Sequence, residues 1–442
     1  MQINIAKDAV VKVITLLTNY IFKIIFYIIK MKHIIIGSGI SGLYLAYKLI
    51  KEKNENGKNI KIYEKNNRIG GRIYTYENKE NNLKYSVGAG RLGKKHKYIM
   101  KLIKDFNLKD EIIDINKKKK YYINGKLMNE KELLKHHNSK YTTLNKLWEY
   151  AIYTKIKTNE KNLNLHNYFS LFLNSNEVEL LKDSLGYISE FYEMNAQNAL
   201  LTLRKDFDVE NNDFFILKNG IQILCDVLYK YLLEKNVKIE LNSILNQINE
   251  IEKEVIINNK KENYNNLYLT IKRQDYLKIP YFIKYEKLLN NVSDGHLLRI
   301  YAQYKDVWFK DLPKILTQNK IQFIIPIDYE SGLIQISYSD SYNATFWNNL
   351  KNKKEVKMHL KRMLNEMFPN KNIKNPEWIT MHYWDAGVHF WKTGIEPKKI
   401  QKEIFKIFSK NNIYILGETY CDRQAWADGA LETVDKYINN NK

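Results

Sequence analysis

The chain has 442 residues, of which 44% are hydrophobic, an ordinary globular proportion with room for more than one domain. A formal charge of +22 usually points to nucleic acid or an anionic surface. Here the lysines run through every segment alongside abundant Asn, Ile and Tyr, with one short run at Lys117–Lys120, so biased coding explains the charge and no nucleic-acid partner is expected.

Cys225 and Cys421 cannot build a disulfide framework, and no Cys/His cluster has metal-ligand spacing. A reducing, cytoplasmic setting without a bound metal is therefore the simpler expectation. Neither a proline- or glycine-rich linker nor an internal repeat is visible.

Residues 1–30 stand apart. Ala9–Ile29 is apolar, but Lys12, Thr15, Asn19, Lys23 and Lys30 would form one polar stripe on a helix, which suits an interfacial anchor better than a spanning segment. No small-residue cleavage site follows it. Met31 precedes the first predicted strand, so two readings stay open: an upstream extension of the chain, or contact with a membrane through residues 9–30.

His33–Ile36 reads as a buried parallel strand. It runs into Gly37-Ser38-Gly39-Ile40-Ser41-Gly42 and then a helical stretch beginning at Leu43. The first glycine permits a tight turn, the second a close approach to a pyrophosphate, and the third close helix–strand packing. The helix start adds free N–H groups for phosphate. A second strand, Ile60–Tyr63, ends in Glu64, 22 residues beyond Gly42, where a carboxylate would accept from ribose hydroxyls. Lys65 follows, then Arg68-Ile69-Gly70-Gly71-Arg72, a close loop whose guanidinium could pair with pyrophosphate.

In that order, these motifs resemble the FAD-binding start of the flavin-containing amine oxidase family. That family includes monoamine, polyamine and L-amino-acid oxidases, with protoporphyrinogen oxidases and phytoene desaturases more distant. The resemblance implies an α/β fold: a Rossmann-like FAD-binding domain built from discontinuous segments, with a second α+β substrate domain. The expected division is 1–30 extension or anchor; 31–91, 211–278 and 395–442 FAD domain; 92–210 helical and 279–394 sheet parts of the substrate domain. Gly88-Ala89-Gly90-Arg91 matches the loop that runs beside the isoalloxazine ring.

Residues 92–210 read mostly as helices, with Ser175 as an N-cap. A turn at Lys218–Gly220, a helix over Ile221–Leu233 and strands at Val237–Leu241 and Leu267–Ile271 follow. By resemblance, Leu245 makes the backbone contact to adenine. Ile413–Leu416 is the last strand and leads to Gly417-Glu418. Trp426-Ala427-Asp428-Gly429-Ala430 opens the final helix. The resemblance implies that Glu418 binds the ribityl chain and that Gly429 and Ala430 approach the pyrimidine edge.

If the family's chemistry carries over, an amine gives a hydride equivalent to flavin N5 and dioxygen accepts the electrons, yielding hydrogen peroxide. The expected substrate is a polyamine or another primary or secondary amine. Arg299 falls where the family usually has a lysine that holds water at N5. Tyr383–Trp391 lacks the cysteine that some members bond to flavin, implying non-covalent FAD. Trp426 and His389 match the aromatic cage. The alternatives are a desaturase or protoporphyrinogen-type oxidase, or an FAD-binding protein without turnover. The oligomeric state is not legible.

Overall fold

The computed structural model describes residues 32–156, 159–206 and 214–440. The polar stripe of residues 1–30 lies outside them. Among the described residues no helix is long and apolar enough to cross a membrane.

Five short parallel strands form the first sheet, in the spatial order Lys238–Glu240, Ile60–Tyr63, His33–Ile36, Asn266–Leu269, Ile413–Ile415. Numbered by their appearance in the chain, this is the 3-2-1-4-5 order of a doubly wound dinucleotide-binding sheet. Alternation along the first strand explains its burial on both faces. Ile35 faces the core shared with the helix Ile40–Lys53, while Ile34 and Ile36 face a second core. An antiparallel sheet of Leu245–Asn249, Glu254–Ile257 and Lys260–Asn263 supplies part of that second core.

The helix Ile40–Lys53 packs against Ile223–Glu234 and the final helix Ala427–Asn440. It ends at Asn54 in the left-handed region (φ 55°), where asparagine substitutes for the usual glycine. Asp428 ties the final helix to its neighbour. It is fully buried, accepts from the Tyr98 and Ile99 N–H groups at 2.7 and 2.9 Å, and pairs with Arg423 at 2.8 Å.

The larger sheet has seven strands, in the order Trp378–Trp391, Val292–Gln303, Leu333–Asp340, Phe323–Asp328, Lys314–Thr317, Lys119–Ile123, Lys126–Met128. The last two come from the stretch expected to be mainly helical, which also contributes Leu92–Gly93 and Ile112–Asp114 to a small three-stranded sheet. The lysine run hid the first of them, but the hairpin has a legible signal. Asn124 and Gly125 both have positive φ (49° and 75°), and Asn-Gly between apolar runs favours a two-residue hairpin turn. The helix Ser175–Leu185 forms as expected, but its cap is Asn174, which shares a reciprocal capping box with Glu177. Cys225 and Cys421 are both buried and unpaired.

Candidate functional site

Where the strands His33–Ile36 and Asn266–Leu269 end, the strand order reverses, the usual place for a ligand in such sheets. A cavity of about 1310 Å³ opens there, beyond the ~300–1,000 Å³ of a single small-molecule pocket. Its wall includes Gly39, Ile40, Ser41, Lys65, Gly71 and Arg72 from the amino-terminal motifs. The loop residues Gly88, Ala89, Gly90 and Arg91, then Arg299, Glu418, Trp426 and Ala430, continue the wall. Gly37, Gly42, Glu64, Leu245, His389 and Gly429 stand behind it.

The three fingerprint glycines serve different needs. Gly37 has φ +105°, and a Cβ on Gly42 would fall 2.0 Å from the Gly37 carbonyl oxygen. Both are dictated by the backbone. Gly39 is not: its conformation is extended (φ −66°, ψ 174°), and a Cβ would meet nothing nearer than the Gly70 carbonyl at 4.0 Å. That Cβ would project into open space beside Ile40 and Ser41, whose N–H groups at the start of a 14-residue helix have no partner within the helix. A cradle kept free of side chain and facing the N–H groups of a helix start fits a dinucleotide pyrophosphate.

Glu64 is buried and committed to the protein. One carboxylate oxygen accepts from Ser38 N and Oγ (2.9 and 3.2 Å), the other from Asn66 N and Nδ2 (2.9 and 2.6 Å). Four acceptor positions are thus filled, and a ribose hydroxyl would have to displace one of these donors. Lys65 is paired with Asp275 at 2.7 Å. Leu245 packs with Ile248 and Val255 in the core behind the sheet.

Arg72 reaches across to the carboxy-terminal motif rather than standing free for phosphate. Its Nη1 donates to Glu418 Oε2 at 2.6 Å and to the Gly387 carbonyl at 3.3 Å. His389 Nδ1–H also donates to Glu418 Oε2 at 2.6 Å, and the backbone N–H groups of His389 and Ala425 donate to Oε1 at 2.9 and 3.0 Å. Burial alone would raise the Glu418 carboxyl, but Arg72, His389 and the Ala425 N–H outweigh it and hold it well below the usual carboxylate range. On its far side, His389 Nε2 accepts from Arg273 N–H at 3.3 Å and lies 3.4 Å from Asp294. With no exposed surface, His389 has no face to offer an amine, so the cage role expected of it is corrected to an internal bridge.

Gly88 and Gly90 are small because of protein neighbours. Cβ atoms there would fall 1.9 Å from the Arg72 carbonyl and 2.6 Å from an Arg299 guanidinium nitrogen. Arg299 is buried, donates to the Ser86 carbonyl at 3.1 Å and lies 4.5 Å above the Tyr338 ring. Burial and the Arg299 charge together push His382 down to about 4. Trp426 does stand at the cavity, but its cation is the protein's own. It stacks on Phe214 with rings 5.6 Å apart, and the Arg91 guanidinium lies 4.5 Å from the Phe214 centroid and 5.6 Å from that of Trp426. Sequence reasoning missed Thr270, whose hydroxyl donates to the Ile36 and Gly37 carbonyls at 3.0 and 3.2 Å. It also missed Lys119 and Lys314 on the cavity wall.

The sheet order, the glycine turn and the cavity at the switch point define a dinucleotide-binding α/β protein. The family model for the NAD(P)-binding Rossmann-like domain matches residues 35–106. The chain is 33% identical over 96 residues to the L-amino-acid oxidase of Naja atra, a match covering 21% of this chain and 18% of that protein. The chain therefore spans less than a fifth of the curated relative it matches. Over 93% of this chain the fold is similar to cyclohexylamine oxidase from Brevibacterium oxydans IH-35A (TM-score 0.69, 14% identity, 98% of that chain). It is also similar to a protein of Exiguobacterium sp. 255-15 whose protoporphyrinogen oxidase assignment is provisional (TM-score 0.71, 14% identity, the same coverage of each chain). Together these similarities support the flavin-containing amine oxidase family, with FAD as cofactor. The glycine turn and the N–H groups at the start of the first helix would hold its pyrophosphate. The Gly88–Gly90 loop and the start of the final helix would flank the ring.

Proposed function

We propose that the chain is an FAD-dependent oxidase of an amine that carries a carboxylate. The observation that carries the reading is the continuity of the cavity. One volume runs from the phosphate cradle at Gly39, past Gly90 and Arg299, to a chamber walled by Arg91, Tyr187, Phe214 and Trp426. Bound FAD would take a hydride equivalent from the carbon bearing the nitrogen and pass both electrons to dioxygen, giving hydrogen peroxide and an imine that water hydrolyses. The protein's part is to orient the donor and exclude bulk water. The names of two similar proteins, an amino-acid oxidase and a cyclohexylamine oxidase, support the nitrogen-bearing donor. Arg91 supports the carboxylate, since its guanidinium stands at the cavity beside two rings, with N–H donors free to meet an anion. The same positive charge repels a polyamine, which narrows the substrate expected from sequence.

An aerobic panel of L-amino acids, spermine, putrescine and aromatic amines with peroxide readout, paired with anaerobic bleaching of the flavin, tests this. Amino acids should bleach the protein and polyamines should not. Bleaching by a porphyrinogen alone, or by no donor at all, would overturn the proposal. Arg299→Lys keeps the charge but withdraws the fork from Ser86 and opens space beside Gly90, so water can enter. Its flavin reduction by the active donor should be severalfold faster in stopped flow, and unchanged rates would remove Arg299 from the reacting centre.

A further inference from the structure

Lys119 and Lys314 are register partners on adjacent parallel strands, so their side chains leave the sheet on one face. Both line the cavity, as do Arg91 and Arg299. Among the described residues, Arg91, Lys119 and Lys314 have neither an ion pair nor a side-chain hydrogen bond. Arg91 lies on Phe214 and Trp426, and the Lys314 ammonium sits 4.4 Å over the Phe323 ring. Of the acids on the same wall, Glu130 accepts from Leu144 N–H at 3.0 Å and partly offsets the Lys119 charge, while Asp340 accepts from the N–H groups of Ile188 and Ser189 at 3.2 and 3.0 Å. Glu190 is also on the wall and has a partner of its own.

Lys119 is exposed to the cavity and Lys314 and Arg91 are half-buried; like charges facing one cavity repel each other, and an anion that enters relieves the repulsion. Burial first, then repulsion from Arg91, pushes both lysine ammonium groups down. One carboxylate at Arg91 leaves the lysine pair with only Glu130 as partial compensation among the described residues.

Resting on the amine-oxidase reading, we propose that Lys119 and Lys314 form a second anion subsite, so that the substrate is an amine with two carboxylates, one held at Arg91 and the other at the lysine pair. Titration calorimetry on the FAD-loaded protein with glutarate and butyrate, neither of which carries an amine to oxidise, tests the subsite without turnover. Glutarate should bind at least ~10-fold tighter than butyrate. In Lys119→Met/Lys314→Met the gap should shrink to about twofold, with the visible spectrum of bound FAD reporting an intact fold. Removing two cations that repel each other and Arg91 should not lower thermal stability. Equal binding of the two acids by the parent, or a gap that persists in the double variant, overturns the subsite. A glutarate preference in a protein that oxidises no amine would overturn the activity and leave the subsite standing.

Discussion

A Gly39→Ala variant is expected to fold as the parent does and to bind FAD about 100-fold more weakly, the equivalent of an intruding methyl worth ~3 kcal/mol. The backbone at Gly39 is one that alanine adopts readily, and its Cβ would have 4.0 Å of clearance from protein atoms. The loss of glycine as helix cap costs at most about 1 kcal/mol. What the methyl occupies is the space in front of the Ile40 and Ser41 N–H groups. Gly42→Ala is the contrasting control: with its Cβ 2.0 Å from the Gly37 carbonyl and 3.0 Å from Thr270 Oγ1, helix and strand must separate, so stability and FAD are lost together. Thermal melts of the apoprotein, set beside fluorescence titration with FAD, distinguish the two. A Gly39→Ala protein with parental affinity would show that the pyrophosphate does not pass there.

Glu418→Gln should destabilise the protein by about 3–5 kcal/mol, the usual cost of removing one partner from a buried charge network. The carboxylate accepts four hydrogen bonds, from Arg72, from the backbone and ring of His389, and from Ala425. An amide can accept on only one of its two ends. The pH dependence follows from the sign of the shift. The folded carboxyl titrates below its ordinary value of 4.5, so the fold favours the ionised form. That stabilisation is complete above the ordinary value and drains away progressively as pH falls from there toward the lower folded-state value. Urea midpoints measured from about pH 7 to 3 should fall more steeply for the parent than for the variant. Parallel curves would show that the Glu418 charge is not what binds these segments.

The parts legible in the sequence are those where local backbone geometry dictates residue type. Gly37 and Gly42 announce a turn that no side chain survives, and the apolar run His33–Ile36 announces a strand buried on both faces. Glu64 is recognisable by position, but its four donors are not, because they come from a loop whose conformation only the fold sets. His389 shows the limit most plainly. The resemblance to the family places it in the aromatic cage, but a bulge between Gly295 and Leu297 on the neighbouring strand interrupts the pairing beside it. It ends up between Glu418 and Asp294, residues 29 positions later and 95 earlier. Lys119 and Lys314 were hidden for another reason. In a chain this rich in lysine, composition carries no information about the few that meet across a sheet from distant segments.

The order of strands has a consequence for biosynthesis. The edge strand Ile413–Ile415 and the anchor Glu418 leave the ribosome long after their partners Asn266–Leu269 and Arg72. A nascent polypeptide halted before that point has the fingerprint loop but neither the closing edge nor the carboxylate that restrains Arg72. Firm FAD binding is therefore expected only once both segments have been made.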